Sequence, residues 1–164
     1  WNMAAVNVGD KVPSVTIRKI GADGRPAATT TDEEFKGKKV VLFAVPGAFT
    51  PTCSAKHLPG FVNNAAAIKG KGVDEIACIS VNDAFVMGAW GKSANADGKV
   101  EMLADGNGEF AEAMGLVLDA SGGGLGKRMQ RFAMVVDNGT ITHLNVEEPG
   151  AFEVSSAEYV MGQL

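Results

Sequence analysis

Val40-Val41-Leu42-Phe43-Ala44-Val45-Pro46-Gly47-Ala48-Phe49-Thr50-Pro51-Thr52-Cys53 runs from an unbroken apolar stretch into a proline-bounded turn and ends on a cysteine. An apolar run without alternation suits a strand covered on both faces, so Lys39 to Val45 is expected inside a sheet. After the cysteine, Leu58, Phe61, Val62, Ala65 and Ile68 recur at helical spacing. An amphipathic helix over 53–69 is expected, kinked at Pro59-Gly60. Glu75 to Val81 then forms the next buried strand, and Asp83 caps a helix carrying Phe85, Val86, Ala89 and Trp90. Strand and helix thus alternate through the middle of the chain.

Upstream, Asp10 to Lys19 alternates around Val12, Val15 and Ile17 before the turn signal Gly21-Ala22-Asp23-Gly24, as a strand or hairpin does. Thr31 and Glu34 have the spacing of a capping box on one short helical turn. Downstream, Val100 to Leu103 is a short strand and Gly108 to Met114 a short helix. Arg131 to Asp137 and Thr140 to Val146 form a hairpin around Asn138-Gly139, and Ser155-Ser156-Ala157-Glu158 caps a last helix. The expectation is an α/β, thioredoxin-like fold: a central mixed β-sheet flanked by helices on both faces, in one domain over residues 1–164. Gly122-Gly123-Gly124-Leu125-Gly126-Lys127 lacks the spacing of a phosphate-binding loop, and Arg128 stands where Ser or Thr is needed. It is expected to be a flexible loop.

Composition narrows the function classes. The chain has 164 residues, 46% of them hydrophobic, and a net charge of -4. That acidic balance argues against a nucleic-acid or anionic-membrane surface, and no apolar run reaches the roughly 18 residues of a membrane span. Trp1, Asn2 and Met3 read as a trimmed precursor end or an expression remnant, which leaves targeting open. His57 and His143 lie far apart without a neighbouring ligand at metal spacing, so no metal is expected. Cys53 and Cys78 are too few for a disulfide scaffold, which favours a catalytic or redox role.

A cysteine at a helix N-terminus meets unpaired N–H groups and the positive end of the helix dipole, which favour thiolate over thiol. Pro46 closes the strand, Pro51 fits the first helical turn, and Thr50 is placed to offer a hydroxyl beside the sulfur. An inert buried cysteine is the alternative reading. Cys78 shares one strand face with Ile76 and Ser80, so it is either a core residue or a redox partner. His57, one helical turn past Cys53, is expected to support the helix rather than transfer protons.

Pro46, Thr50 and Cys53 stand as Pro-x-x-x-Thr-x-x-Cys, which resembles the active-site motif of peroxiredoxins. The longer string Pro46-Gly47-Ala48-Phe49-Thr50-Pro51-Thr52-Cys53-Ser54, followed by Lys56-His57-Leu58-Pro59-Gly60-Phe61, is similar to their type II branch. So are Cys78 to Val86, Leu103-Ala104-Asp105-Gly106 and Arg131-Phe132-Ala133-Met134-Val135. The resemblance implies a thiol peroxidase that reduces hydrogen peroxide and alkyl hydroperoxides through a sulfenic acid on Cys53, with no bound cofactor. It assigns Arg131 to the site and Cys78 to resolution, since the spacing of these cysteines resembles that of plant-like members. It also implies a homodimer, with Phe49 and neighbouring aromatics near the contact. Glutaredoxin with glutathione, or thioredoxin, is the expected reductant, because 145–156 holds no cysteine. The strings 105–110 and 150–158 look plant- or algal-like, giving the chloroplast stroma, after transit-peptide removal, or the cytoplasm. A thioredoxin-fold binding or chaperone-like module, keeping the core without the chemistry, is the alternative. Disulfide exchange on proteins is disfavoured for want of Cys-x-x-Cys.

Overall fold

The computed structural model of the chain describes residues 6–164, so the reading of Trp1 to Met3 lies outside the described residues. β1 (Thr16–Ile20) and β2 (Pro26–Thr30) form an antiparallel hairpin, followed by α1 (Thr31–Phe35) and β3 (Lys39–Ala44). A π-helical turn (Cys53–His57) leads into α2 (Leu58–Asn63) and α3 (Ala65–Lys69), then β4 (Glu75–Ser80), α4 (Ala84–Ser93), β5 (Glu101–Ala104) and α5 (Glu109–Met114). β6 (Val117–Asp119) and β7 (Lys127–Met129) make a separate small hairpin. The chain ends in β8 (Phe132–Asp137), β9 (Thr140–Val146) and α6 (Ala157–Met161). The main sheet has the order β2-β1-β5-β4-β3-β8-β9. β3, β4 and β5 run parallel, and the remaining pairs are antiparallel.

β3 shows why an unbroken apolar run belongs in the middle of such a sheet. Val41 and Phe43 pack with Phe61 and Val62 of α2, Met87 and Trp90 of α4 and Val160 of α6, while Val40, Leu42 and Ala44 pack with Phe35 of α1 and Phe110 and Met114 of α5. Alternate residues thus feed two cores, one on each face, and the thioredoxin-like arrangement expected from the sequence is the one observed. At the β8–β9 turn, Asn138 and Gly139 have φ of 48° and 82°. Both lie in the left-handed region that a two-residue hairpin turn requires.

Two local expectations are corrected. The cap of α1 is Thr30, whose hydroxyl accepts from Glu33 N–H (3.2 Å). Thr31 instead donates to Pro13 C=O, and Glu34 binds Lys19 and Thr29, because the segment before β1 and the β1–β2 hairpin supply the partners. The helix after Cys53 breaks at Asn64, whose side-chain amide donates to Gly60 C=O, and not at Pro59-Gly60. The effect of Pro59 is felt earlier: its ring crowds the preceding carbonyls, and the turn before it is widened to π geometry. α4 buries Ala84, Met87, Trp90 and Gly91, leaving Phe85 and Ala89 exposed. A Cβ on Gly88 or Gly91 would stand 2.8 Å from Ile20 and 2.7 Å from Met102, so only a small-residue face fits against β1 and β5. The glycine-rich segment expected as a loop lies between β6 and β7, as the tip of their hairpin.

Candidate active site

Cys53 opens the π-helical turn at the C-terminal end of β3, fully buried, in the first turn after a strand-to-helix connection. The connection is held from three sides. Asn82 Oδ1 accepts from Ala48 N–H (3.0 Å) and from Ser80 Oγ–H (2.7 Å), Thr50 Oγ1 donates to Gly47 C=O (2.7 Å), and Ser54 N–H donates to Thr50 C=O (2.9 Å). Phe49 is held at φ 64°, in the left-handed region, with its ring 54% exposed. That conformation costs a side-chain-bearing residue about 1–2 kcal/mol, and the surrounding hydrogen bonds maintain it. Trp90 Nε1–H donates to Ser54 Oγ (3.1 Å), pinning the turn from the α4 side.

Arg131, just before β8, reaches the sulfur: its Nη2 donates to Cys53 Sγ at 3.1 Å. Its Nη1 lies 2.7 Å from His57 Nδ1, and His57 Nε2 lies 2.8 Å from Ser155 C=O. A carbonyl only accepts and a guanidinium only donates, so His57 carries its proton on Nε2 and accepts at Nδ1. Burial and, after it, the Arg131 charge push the His57 pKa down to about 3 against the opposing pull of Ser155 C=O. The ring is enclosed by Phe43 (4.8 Å between centroids), Phe61 (5.6 Å) and Phe152 (5.0 Å), and the guanidinium lies 5.8 Å from the Phe152 centroid. A neutral imidazole that orients an arginine is what this box sustains.

That tautomer has a consequence for acid stability. The folded-state pKa of about 3 lies below the ordinary 6.5, so between these values the unfolded chain binds a proton that the folded chain does not. Stability is therefore lost as pH falls through that window. From pH 6.5 to 4.5 the His57 contribution is on the order of 2 kcal/mol, at about 1.4 kcal/mol per pH unit. Urea unfolding of the wild type and His57→Asn at both pH values should show this pH dependence reduced in the variant. Equal slopes would mean that His57 accepts a proton freely in the fold.

A cavity of ≈ 160 Å³ opens beside the arginine, lined by Pro46, Thr52, Leu118, Arg131, Pro149 and Ala151 among others. Pro46 and Arg131 thus line the same opening. Thr50 stands in the same loop, but its proton is spent on Gly47, so its hydroxyl oxygen is left as an acceptor and not the donor expected from the sequence. Arg128 donates to Leu125 C=O and Val81 C=O, supporting the loop and not the sulfur. Cys78, on β4, is buried in the same core as Cys53; burial pushes its thiol well above the ordinary range, the nearby Cys53 adds to this, and Arg131 opposes it. No disulfide joins Cys53 and Cys78. Sequence reasoning missed the links from His57 to Arg131 and Ser155, the packing of Phe152, and Leu118. The partners of His57 lie 74 and 98 residues away, beyond any local spacing rule.

Comparison with known proteins places this arrangement. The family model described as Redoxin matches residues 7–161. The chain is 49% identical to peroxiredoxin-2D of Arabidopsis thaliana, over 99% of this chain and 100% of that protein. It is 51% identical to the chloroplastic peroxiredoxin-2E-2 of rice, Oryza sativa subsp. japonica, over 99% of this chain and 74% of that protein. Reduced Prx3 of Vibrio vulnificus, solved in complex with H2O2, superposes with a TM-score of 0.92 at 51% identity, covering 96% of this chain and 98% of that one.

Proposed function

Since the chain belongs to the redoxin family and, within it, to the type II peroxiredoxins, which are thiol peroxidases, we propose that Cys53 is the thiolate that attacks the hydroperoxide. The observation that carries this is the Arg131 Nη2–Cys53 Sγ contact of 3.1 Å beside the cavity. The guanidinium fixes the sulfur in place as a hydrogen-bond acceptor, and attack on a peroxide needs the sulfur as its anion. Sulfur attacks the terminal peroxide oxygen, the O–O bond breaks, and the departing oxygen takes the bonding pair and a solvent proton to become alcohol or water. Cys53 is left oxidised, as sulfenic acid. Arg131 donates to the oxygen on which charge builds, the Thr50 hydroxyl oxygen accepts the peroxide O–H, and Pro46 shields the cavity wall.

Cys78 then resolves: its sulfur bonds to that of Cys53 and water leaves, to be followed by reduction of the disulfide by two external thiols. Because burial disfavours the Cys78 thiolate, this step needs the π-helical turn to open, and the wide hydrogen bonding of such a turn makes it the weakest stretch of the helix. One equivalent of hydrogen peroxide should leave the reduced wild type lighter by two hydrogens. Cys78→Ser should react as fast and end heavier by one oxygen, read by intact mass. A one-oxygen gain in the wild type would remove Cys78 as resolver and leave Cys53 untouched.

The wider setting follows the same reading. Glutaredoxin with glutathione, or thioredoxin, supplies the reducing thiols. The exposure of Phe49 (54%), whose ring lies 6.4 Å from that of Trp90, and of Phe85 (64%) supports a homodimer contact. One seven-stranded sheet spanning both ends of the described chain supports a single domain. Chloroplastic naming of some close relatives supports the chloroplast stroma, with the cytoplasm as the alternative. No helix among the described residues is long and apolar enough to cross a membrane.

A further inference from the structure

Glu147 follows β9 and is almost fully buried, yet has no cationic partner within ion-pair distance among the described residues. One oxygen, Oε2, accepts from Glu153 N–H (2.8 Å), Val154 N–H (2.9 Å), Ser155 N–H (2.8 Å) and Ser155 Oγ–H (2.6 Å). A single carboxylate oxygen therefore closes the loop that runs from 148 to 155. Pro149 and Ala151 of that loop wall the cavity, and Phe152 packs on His57 and Arg131. The residue that closes the loop also stands across from the arginine: Glu147 N–H donates to Arg131 C=O at 3.0 Å.

The geometry points to Glu147 as a positioning residue for peroxide reduction, acting on Cys53 through three intermediates. Glu147 fixes Ser155, Ser155 C=O accepts from His57 Nε2, His57 Nδ1 accepts from Arg131 Nη1, and Arg131 Nη2 donates to Cys53 Sγ. Each link is a hydrogen bond of definite polarity. If Ser155 C=O moves, His57 loses the partner that holds its proton on Nε2, and Nδ1 is no longer committed to accepting from the guanidinium. Charge-assisted bonds to four donors make Oε2 the stiff end of this chain. Arg131 has rotamer freedom of its own, and a tilt of the guanidinium would lengthen its reach to both sulfur and peroxide oxygen.

This inference rests on the proposed role of Arg131, and a double-mutant cycle separates the two. The second-order rate of hydrogen peroxide with reduced protein is measured by stopped flow for wild type, Glu147→Gln, Arg131→Met and the double variant. The glutamine keeps the size and one acceptor oxygen but removes the charge. Glu147→Gln is expected to slow the reaction about tenfold in the wild-type background, and to have little further effect once Arg131 is methionine, since residues acting through one another are non-additive. A merely structural role would give the same loss in both backgrounds, and that result, or no loss at all, overturns the inference. If Glu147→Gln does not fold, Ser155→Ala replaces it, removing the 2.6 Å donor while keeping the carbonyl that faces His57. The same coupling is expected with a smaller loss, and additivity would overturn the inference as before. If Arg131→Met alone leaves the rate unchanged, it is the reading of the site that fails, whatever Glu147 does.

Discussion

Cys53→Ser is expected to abolish hydroperoxide reduction. A serine hydroxyl at the same place meets the same donors, but it is a far weaker acid than a thiol and holds its proton at neutral pH, so no usable nucleophile forms. The other cysteine is not expected to take over. Cys78 lies under the sheet-facing side of the helical layer, fully buried, and burial pushes its thiol well above the ordinary range. A loss of at least about 10⁴-fold in peroxide consumption is expected, on the scale that removal of a nucleophile costs other enzymes. The measurement is peroxide decay under excess dithiol, with circular dichroism to show that the variant is folded. The substitution removes one polar contact from a loop held independently by Asn82, Gly47 and Trp90, so the fold should persist. Retained consumption would place the chemistry away from Cys53.

Arg131→Met should cost 10²–10³-fold, about the effect of removing one donor from a preorganised oxyanion site. Methionine keeps much of the arginine's length and apolar stem but none of its donors. Two donors are lost at once: Nη2 on the sulfur and Nη1 on His57. Arg131→Lys is the sharper comparison. One ammonium retains the charge but lacks the planar fork that spans Cys53 and His57 together, so it should recover only part of the rate. Full recovery by lysine would mean that charge alone matters and that the His57 link is incidental. Single-turnover kinetics with hydrogen peroxide read both variants, because reduction by external thiols does not enter the first oxidation.

What the sequence made legible is what is local. The run Val40 to Val45 declared a buried strand because both of its faces are covered, and its position before a proline turn and a cysteine declared a strand-to-helix site. Asp83 and Ser156 cap α4 and α6 through side chains three residues from their partners, well within the reach of a spacing rule. Arg131 was legible only by resemblance: as a lone residue before an apolar strand it is indistinguishable from a surface charge. The links that give it a fixed direction are formed by His57 and Ser155, which no periodicity connects. Thr50 shows a subtler limit. Its place beside the cysteine was readable, but the direction of its hydroxyl proton depends on a carbonyl within the turn. On α4 the apolar residues Phe85, Val86, Ala89 and Trp90 were readable, but the side turned to the sheet is set by close approach to β1 and β5 at Gly88 and Gly91, which apolar spacing does not mark.

The most direct measurement places the first oxidation on one sulfur. Reduced Cys78→Ser protein and reduced wild type are each given one equivalent of hydrogen peroxide together with a sulfenic-acid-specific diketone, and the labelled peptides are identified by mass. The expected result is label on the peptide containing Cys53 in both proteins, stronger in the variant, where no second sulfur competes for the sulfenic acid. Label on the Cys78 peptide of the wild type with Cys53 still reduced, or no label in either protein, would contradict attack by Cys53.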